Sequence, residues 1–272
     1  MTEPNTPELW DEIWTAPTSP TEHRHNLARE ELSIRWQRIE QRVRARFDGF
    51  DRLRVIEIGA GAGTNAGVMA KRGASVTLLD YSDLALARAR QFFQANHLQA
   101  DFVQANALHL PDALLDHFDV AMSFGLNEHF TGAERVQIFQ AHLDVLRAGG
   151  VAFVSVPNAR NAPYRASKWL AEKTGRWKLG VEVPFTRDEL ESICEQLGVS
   201  HAEFFGDSFV YSLQFVNPWR YVRRALRRQR PAPSSRRRRE RGTPIDERWS
   251  YATVLMMASS SRAATASRSS TT

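Results

Sequence analysis

The sequence of 272 residues predicts an α/β fold, with helices alternating with strands around a mostly parallel sheet and a ligand crevice at the strands' carboxyl ends. Two observations carry this. The apolar, β-rich run Val55-Ile56-Glu57-Ile58 enters Gly59-Ala60-Gly61-Ala62-Gly63-Thr64, a composition that makes a tight strand-to-helix turn whose backbone can approach a ligand closely. A second apolar run, Val76-Thr77-Leu78-Leu79, ends in Asp80, about twenty residues after the first glycine, the spacing at which a nucleotide-binding fold holds ribose hydroxyls. Together they predict an adenosine-containing cofactor.

The glycine spacing narrows which cofactor. A dinucleotide fingerprint reads G-x-G-x-x-G, but here the third glycine comes one residue early at Gly63, Thr64 stands at the dehydrogenase position, and no Walker lysine follows. Glu57 sits beside the turn, where it would repel a pyrophosphate and tolerate a cationic sulfonium. The pattern resembles the first motif of the class I S-adenosylmethionine (SAM)-dependent methyltransferases of the small-molecule type. That resemblance implies SAM as cofactor and a Rossmann-like, seven-stranded, mostly parallel sheet flanked by helices.

Further matches follow in chain order. Asp101-Phe102-Val103-Gln104-Ala105-Asn106-Ala107, before Leu110-Pro111, resembles the family's third strand and adenine-contacting turn. Many members carry Asp where Asn106 stands, and an amide oxygen can still accept from the adenine amino group. Residues 118–124 with Gly125-Leu126-Asn127-Glu128-His129-Phe130 resemble the fourth strand and its loop, and Leu146-Arg147-Ala148-Gly149-Gly150 entering 151–158 resembles the Gly-Gly turn and fifth strand. Trp249-Ser250-Tyr251-Ala252-Thr253-Val254-Leu255-Met256-Met257 resembles the last strand, which the family inserts antiparallel beside the fifth. Residues 201–205 would be its hairpin partner.

The helices read from periodicity. Leu32, Trp36, Ile39, Val43 and Phe47 recur at steps of three and four, giving an amphipathic helix that packs on the sheet before the first strand. Residues 84–96, 133–146 and 187–197 also read as helices, the last opened by a Thr186–Glu189 capping box and stopped at Gly198. The expected organisation is an N-terminal helical or lid segment (1–50), a SAM-binding core (51–205), a basic amphipathic insertion (206–248), the last core strand (249–258) and a disordered Ser/Thr/Ala/Arg-rich tail (259–272).

Two segments could cover the crevice or simply pack locally. One is Trp10 and Trp14 with His23, Arg24 and His25; the other is 158–184, containing Tyr164, Lys168, Trp169, Trp177 and Lys178. His23 and His25 make no metal site, since no further ligand cluster stands at the required spacing. The single cysteine, Cys194, fits a buried structural thiol better than a nucleophile. The start of the chain lacks the features of a signal peptide, no apolar run reaches membrane-spanning length, and the cytoplasm is the expected compartment.

Charge is concentrated. Residues 220–241 hold eleven arginines against Glu240, a local +10 within a whole-chain net charge of +5, so the remainder carries about −5. Asn217 and Pro218 can start a helix presenting Trp219, Val222 and Leu226 opposite arginines, preceded by Phe209, Val210, Tyr211, Leu213, Phe215 and Val216. Such an arm suits peripheral contact with an anionic membrane through 209–241, with the inner face of the membrane the expected place, each basic residue contributing about 1 kcal/mol. Nucleic acid is the rival partner, although Ser123-Phe124-Gly125-Leu126 lacks the Pro-Pro-aromatic element of enzymes that methylate base amines; a merely solvated arm is the third alternative.

The resemblance implies a role for each site residue. Gly59, Ala60, Gly61 and Gly63 would admit the methionyl part, Glu57 would orient its ammonium, Asp80 and the adjoining Tyr81 would adjoin the ribose, Asn106 and Ala107 the adenine, and Ser123 and Phe124 the sulfonium. His129 is the candidate base for a hydroxyl acceptor, because an imidazole titrates near neutral pH; it could equally be structural. A methyltransferase for a small or lipid-like hydroxyl acceptor is the leading expectation. An RNA or protein methyltransferase recruited through the arm and a non-catalytic binding subunit are the alternatives.

Overall fold

The computed structural model describes residues 6–215 and 243–258. Seven strands form one sheet: β1 (Arg54–Ile58), β2 (Ser75–Asp80), β3 (Asp101–Gln104), β4 (Phe118–Phe124), β5 (Leu146–Pro157), β6 (His201–Gly206) and β7 (Ala252–Ala258), in the order β3-β2-β1-β4-β5-β7-β6. The first five are parallel, and β7 runs antiparallel between β5 and β6. Central strands covered on both faces are mostly apolar and buried on each, as in Val55, Ile56 and Ile58 of β1 and residues 118–123 of β4, with Glu57, Asp119 and Ser123 the buried polar exceptions.

Helices cover both faces. On one side lie α2 (Pro20–Glu31), α3 (Ile34–Phe47), α4 (Thr64–Lys71) and α5 (Asp83–Ala95), packing Leu27, Trp36, Ile39, Val43, Met69 and Phe92 against Val55, Val120 and Phe153. On the other, α6 (Glu134–Asp144) and α8 (Arg187–Gln196) pack Ile138, Phe139, Leu190 and Ile193 against Ile56, Ile58 and Val154. Three further helices are α1 (Pro7–Trp14), α7 (Ala162–Lys173) and α9 (Phe209–Ser212), and α10 (Pro244–Trp249) leads into β7.

Most expected elements sit where the sequence placed them, with three differences, one being that Trp249 ends a helix and the last strand begins only at Ala252. The helix expected to reach 146 stops at Asp144, because Leu146 pairs with Phe118 as the first residue of β5. Thr186 accepts the Glu189 N–H at 3.1 Å, but the reciprocal half of the capping box is missing: Glu189 instead takes the Arg135 guanidinium. Cys194 is buried in α8, and burial pushes its thiol up to about 11, consistent with an unreactive core residue. No helix among the described residues is long and apolar enough to cross a membrane. The expected arm helix over 217–226 and its arginines, with the tail 259–272, lie outside the described residues. Of the apolar residues before the arm, Phe215 turns inward against Tyr164 and Tyr251, while Leu213 is exposed.

Helix α4, which leaves the glycine turn, is held on α5 by an absent side chain. A Cβ on Gly67 would stand 2.5 Å from Cε1 of Phe92, a fully buried ring wedged against His23 and Phe93. Gly67→Ala gains about 1 kcal/mol of helix propensity, whereas overpacking of this kind costs about 1–3 kcal/mol. The clash wins, so the variant is expected to melt at lower temperature than the parent; an equal or higher midpoint in thermal unfolding would show that α4 can slide away from α5.

Candidate active site

The turn after β1 is clamped by two buried carboxylates. Gly63 caps α4 from the left-handed region at φ +67° and offers no side chain to the helix's exposed N–H groups. Glu57 supplies the acceptor instead: its Oε2 takes the Ala66 N–H at 2.7 Å, and Oε1 the Asn65 amide at 3.4 Å. On the next strand, Asp80 takes the Gly61 N–H at 2.9 Å through Oδ2 and the Ser82 N–H at 3.0 Å through Oδ1. Burial pushes Glu57 up to about 7, against the opposing pull of these donors and of Arg35, and it raises Asp80 in the same way. Added bulk has no room: a Cβ on Gly61 would lie 2.7 Å from the Trp14 ring, and one on Gly63 2.2 Å from Leu78.

A cavity of about 420 Å³ opens over this turn. Its lining follows the sheet order across the strand ends: Asn106 and Ala107 after β3, Asp80 and Tyr81 at β2, Glu57, Gly59, Ala60, Gly61 and Gly63 at β1, then Phe124 and His129 after β4. Ser123 does not join them. It is fully buried, and its hydroxyl is engaged with Asn127 Oδ1 at 2.9 Å beneath the loop, so it shapes the loop rather than the surface. The Asn106 Oδ1 already accepts the Leu108 N–H at 2.9 Å, closing the turn, and Tyr81 donates its hydroxyl to the Thr6 carbonyl at 3.2 Å. Glu57, Asp80 and Glu134 line the cavity, and no Lys or Arg does among the described residues. Such a surface suits a cationic ligand and resists a pyrophosphate.

At the β4 end, the His129 Nδ1 lies 2.7 Å from the Val181 carbonyl oxygen, which assigns the proton to Nδ1 and the basic lone pair to Nε2. The ring meets Trp10 edge-on, with centroids 4.7 Å apart. Burial drives its pKa down to about 4, not near neutrality, so it is neutral at physiological pH. Behind it, Glu128 is pushed up to about 8 by burial and by Glu182, whose carboxylate accepts the Tyr164 hydroxyl. Ligand-type atoms of Glu128, His129 and Glu182 lie within 4.8 Å of one another, a donor set that could hold a cation. Sequence spacing could not reveal this trio, because Glu182 arrives from the segment after α7.

Helix α1 roofs the cavity with Trp10 and Trp14. Arg88 of α5 holds its carboxyl end, donating to the Trp14 carbonyl at 2.7 Å and to Ala16, and the Ser82 hydroxyl bonds Asp11. His23 and its neighbours take no part: His23 is buried in α2 against Phe92, on the helical layer. Nothing from 158–184 lines the cavity either, although Val181 and Val183 run alongside the 126–129 loop through His129 and the Glu128 carbonyl.

Comparison with known proteins agrees with this geometry. A family model described as a methyltransferase domain matches residues 55–150. Ubiquinone biosynthesis O-methyltransferases of Ruegeria sp. (strain TM1040) and Dinoroseobacter shibae are 27% and 29% identical over 168 residues, 59% of this chain and 65% of each relative. The chain thus spans slightly under two thirds of the length of these curated relatives. Among solved structures, magnesium protoporphyrin IX methyltransferase from Synechocystis PCC 6803 with bound SAH superposes with a TM-score of 0.56 at 15% identity, covering 93% of both chains. The [4+2]-cyclase SpnF does so with a TM-score of 0.56 at 17% identity, covering 83% of this chain and 81% of its own. The domain match over the glycine turn and the relatives that share it make residues 55–150 similar to a methyltransferase domain, and the seven-stranded sheet has the fold of the solved methyltransferase.

Proposed function

We propose that the chain transfers a methyl group from SAM to a hydroxyl of a small, lipid-like acceptor. The observation that carries this reading is a cavity over the glycine turn whose lining holds acidic residues and, among the described residues, no Lys or Arg. SAM, when bound, supplies an electrophilic methyl on a positively charged sulfur. Glu57 would hold the ammonium of its methionyl part, Asp80 the ribose, Asn106 and Ala107 the adenine, and Phe124 would border the sulfonium. The S–CH3 bond would break as the acceptor oxygen takes the methyl, the sulfur leaving as the neutral thioether S-adenosylhomocysteine, and His129, neutral with its lone pair on Nε2, would take the hydroxyl proton. Positioning provides the larger share of the acceleration, up to about 7–11 kcal/mol in favourable cases. The names of the relatives couple O-methylation to ubiquinone biosynthesis, which supports an acceptor resembling a quinone precursor. Such an apolar molecule also gives a reason for contact with a membrane surface, through the arm expected at 209–241.

Because Glu57 titrates near 7 in the free protein, its carboxylate is available to an ammonium only as pH rises. Protonation opposes cation binding, so SAM affinity is expected to increase about tenfold between about pH 5.5 and 7 in titration calorimetry. Glu57→Gln, which keeps the acceptor for the Ala66 N–H, should flatten that profile. A flat profile in the parent would place the ammonium elsewhere.

His129→Ala is expected to lower kcat about 100-fold, the scale of general base catalysis, with SAM affinity nearly unchanged. Methyl transfer from labelled SAM into an extracted quinone-precursor pool provides the measurement. Parallel losses of SAM affinity and melting temperature would assign His129 to holding Trp10 and the 181–183 segment instead.

A further inference from the structure

Helix α7 presents its bulkiest apolar side chains to solvent. Its inward stripe is Tyr164, Ser167, Lys168 and Ala171, and its outward stripe is Ala162, Arg165, Ala166, Trp169, Leu170 and Lys173. Trp169 is 60% and Leu170 57% exposed. A surface helix ordinarily turns such residues inward, yet α7 is not free to roll. Asn161 caps it through the Tyr164 N–H and anchors the cap to Ser212 and to the Trp249 carbonyl. Tyr164 packs its ring on Tyr251 and gives its hydroxyl to Glu182. The inward contacts therefore fix Trp169 and Leu170 outward.

The charges around this stripe have one sign. Residues 162–178 carry five cations, Arg165, Lys168, Lys173, Arg176 and Lys178, against one acid, Glu172, which is already paired with Lys168. Arg165, Lys173, Arg176 and Lys178 are exposed. Tyr164 also touches Phe215, after which the sequence enters its eleven arginines. An apolar stripe rimmed by cations is the chemistry of a helix lying in a lipid headgroup layer, its Trp and Leu below the surface and its Arg and Lys at the phosphates.

We propose that the outward face of α7 docks the protein on an anionic phospholipid bilayer, Trp169 and Leu170 inserting between headgroups. The proposal extends the lipid-like acceptor reading, because α7 continues into the 181–183 segment that holds His129. A second copy of the chain fits this face less well. Pairing it with itself would oppose cation to cation with no acidic patch to answer them. Nucleic acid would satisfy the cations and leave Leu170 in water.

The test is co-sedimentation of the full chain with phosphatidylcholine vesicles, with and without phosphatidylglycerol, in the absence of SAM and of any methyl acceptor. Failure here is thereby separate from failure of the methyl-transfer reading. The parent is expected to bind only vesicles containing the anionic lipid. The double variant Trp169→Ser, Leu170→Ser should bind at least about tenfold more weakly at unchanged net charge and melting temperature, since it removes only inserted apolar area. Trp169→Phe should retain most of the binding. Undiminished binding by the double variant would show that charge elsewhere suffices and overturn the proposal. So would binding indifferent to phosphatidylglycerol, or a dimer in analytical ultracentrifugation that the double variant dissociates.

Discussion

Two carboxylates from neighbouring strands fix the backbone on which the site is built. Glu57 on β1 reaches forward to the first turn of α4, and Asp80 on β2 reaches across to Gly61, so the glycine turn is gripped at both ends. Glycine allows the turn its positive φ values, but it would also allow many other shapes. The carboxylates select one. Their own position is set by strand register, since Glu57 pairs with Leu78 and Ile58 with Leu79, and a slip of one residue would turn both acids to the opposite faces. Burying each of these acids is costly, and the N–H groups of the turn and helix start repay only part of that cost. The remainder appears as raised pKa values in the free protein. A cationic occupant completes an electrostatic arrangement that the fold leaves unfinished.

Fold alone does not choose the reaction, as the similarity to both a methyltransferase and a [4+2]-cyclase makes plain. What can differ within this fold is the far end of the cavity, after β4. Here that end is a neutral histidine backed by buried carboxyl groups and roofed by Trp10. Burial weakens the basicity of His129, so the ring stays uncharged there.

The glycine-turn end of the cavity was legible in the sequence because its signals are local. A β-rich run entering glycines and an acid at the end of the next strand are set by chain geometry over a few residues, and the residues from Glu57 to Asp80 meet around one cavity. The alternation of strands and helices pointed to the parallel part of the sheet, and the resemblance implied the late antiparallel strand. Less was visible where partners come from far along the chain. The pairing of Glu128 with Glu182, the grip of Arg88 on α1 and the diversion of Glu189 to Arg135 depend on tertiary packing. Ser123 is of the same kind: the resemblance set it beside the sulfonium, while its hydroxyl turns to Asn127 beneath the loop. The imidazole of His129 has an ordinary pKa in a sequence and a depressed one only once burial is known.

The placement of β7 has a consequence for the stretch of chain between Phe215 and Thr243. That strand lies inside the sheet, bonded to β5 on one side and β6 on the other. Asp246 gathers the two approaches, accepting the N–H of Phe209 and the N–H of Thr243 at 2.6 Å each. The two ends of that stretch are therefore stapled together by the core. The length between them can change at little cost, since each doubling of a loop adds only about 0.6 kcal/mol of closure entropy. A break within it would leave two pieces still joined through a shared sheet, which makes this the natural place on the molecule for sequence to be gained, lost or cut while the rest of the protein stays folded.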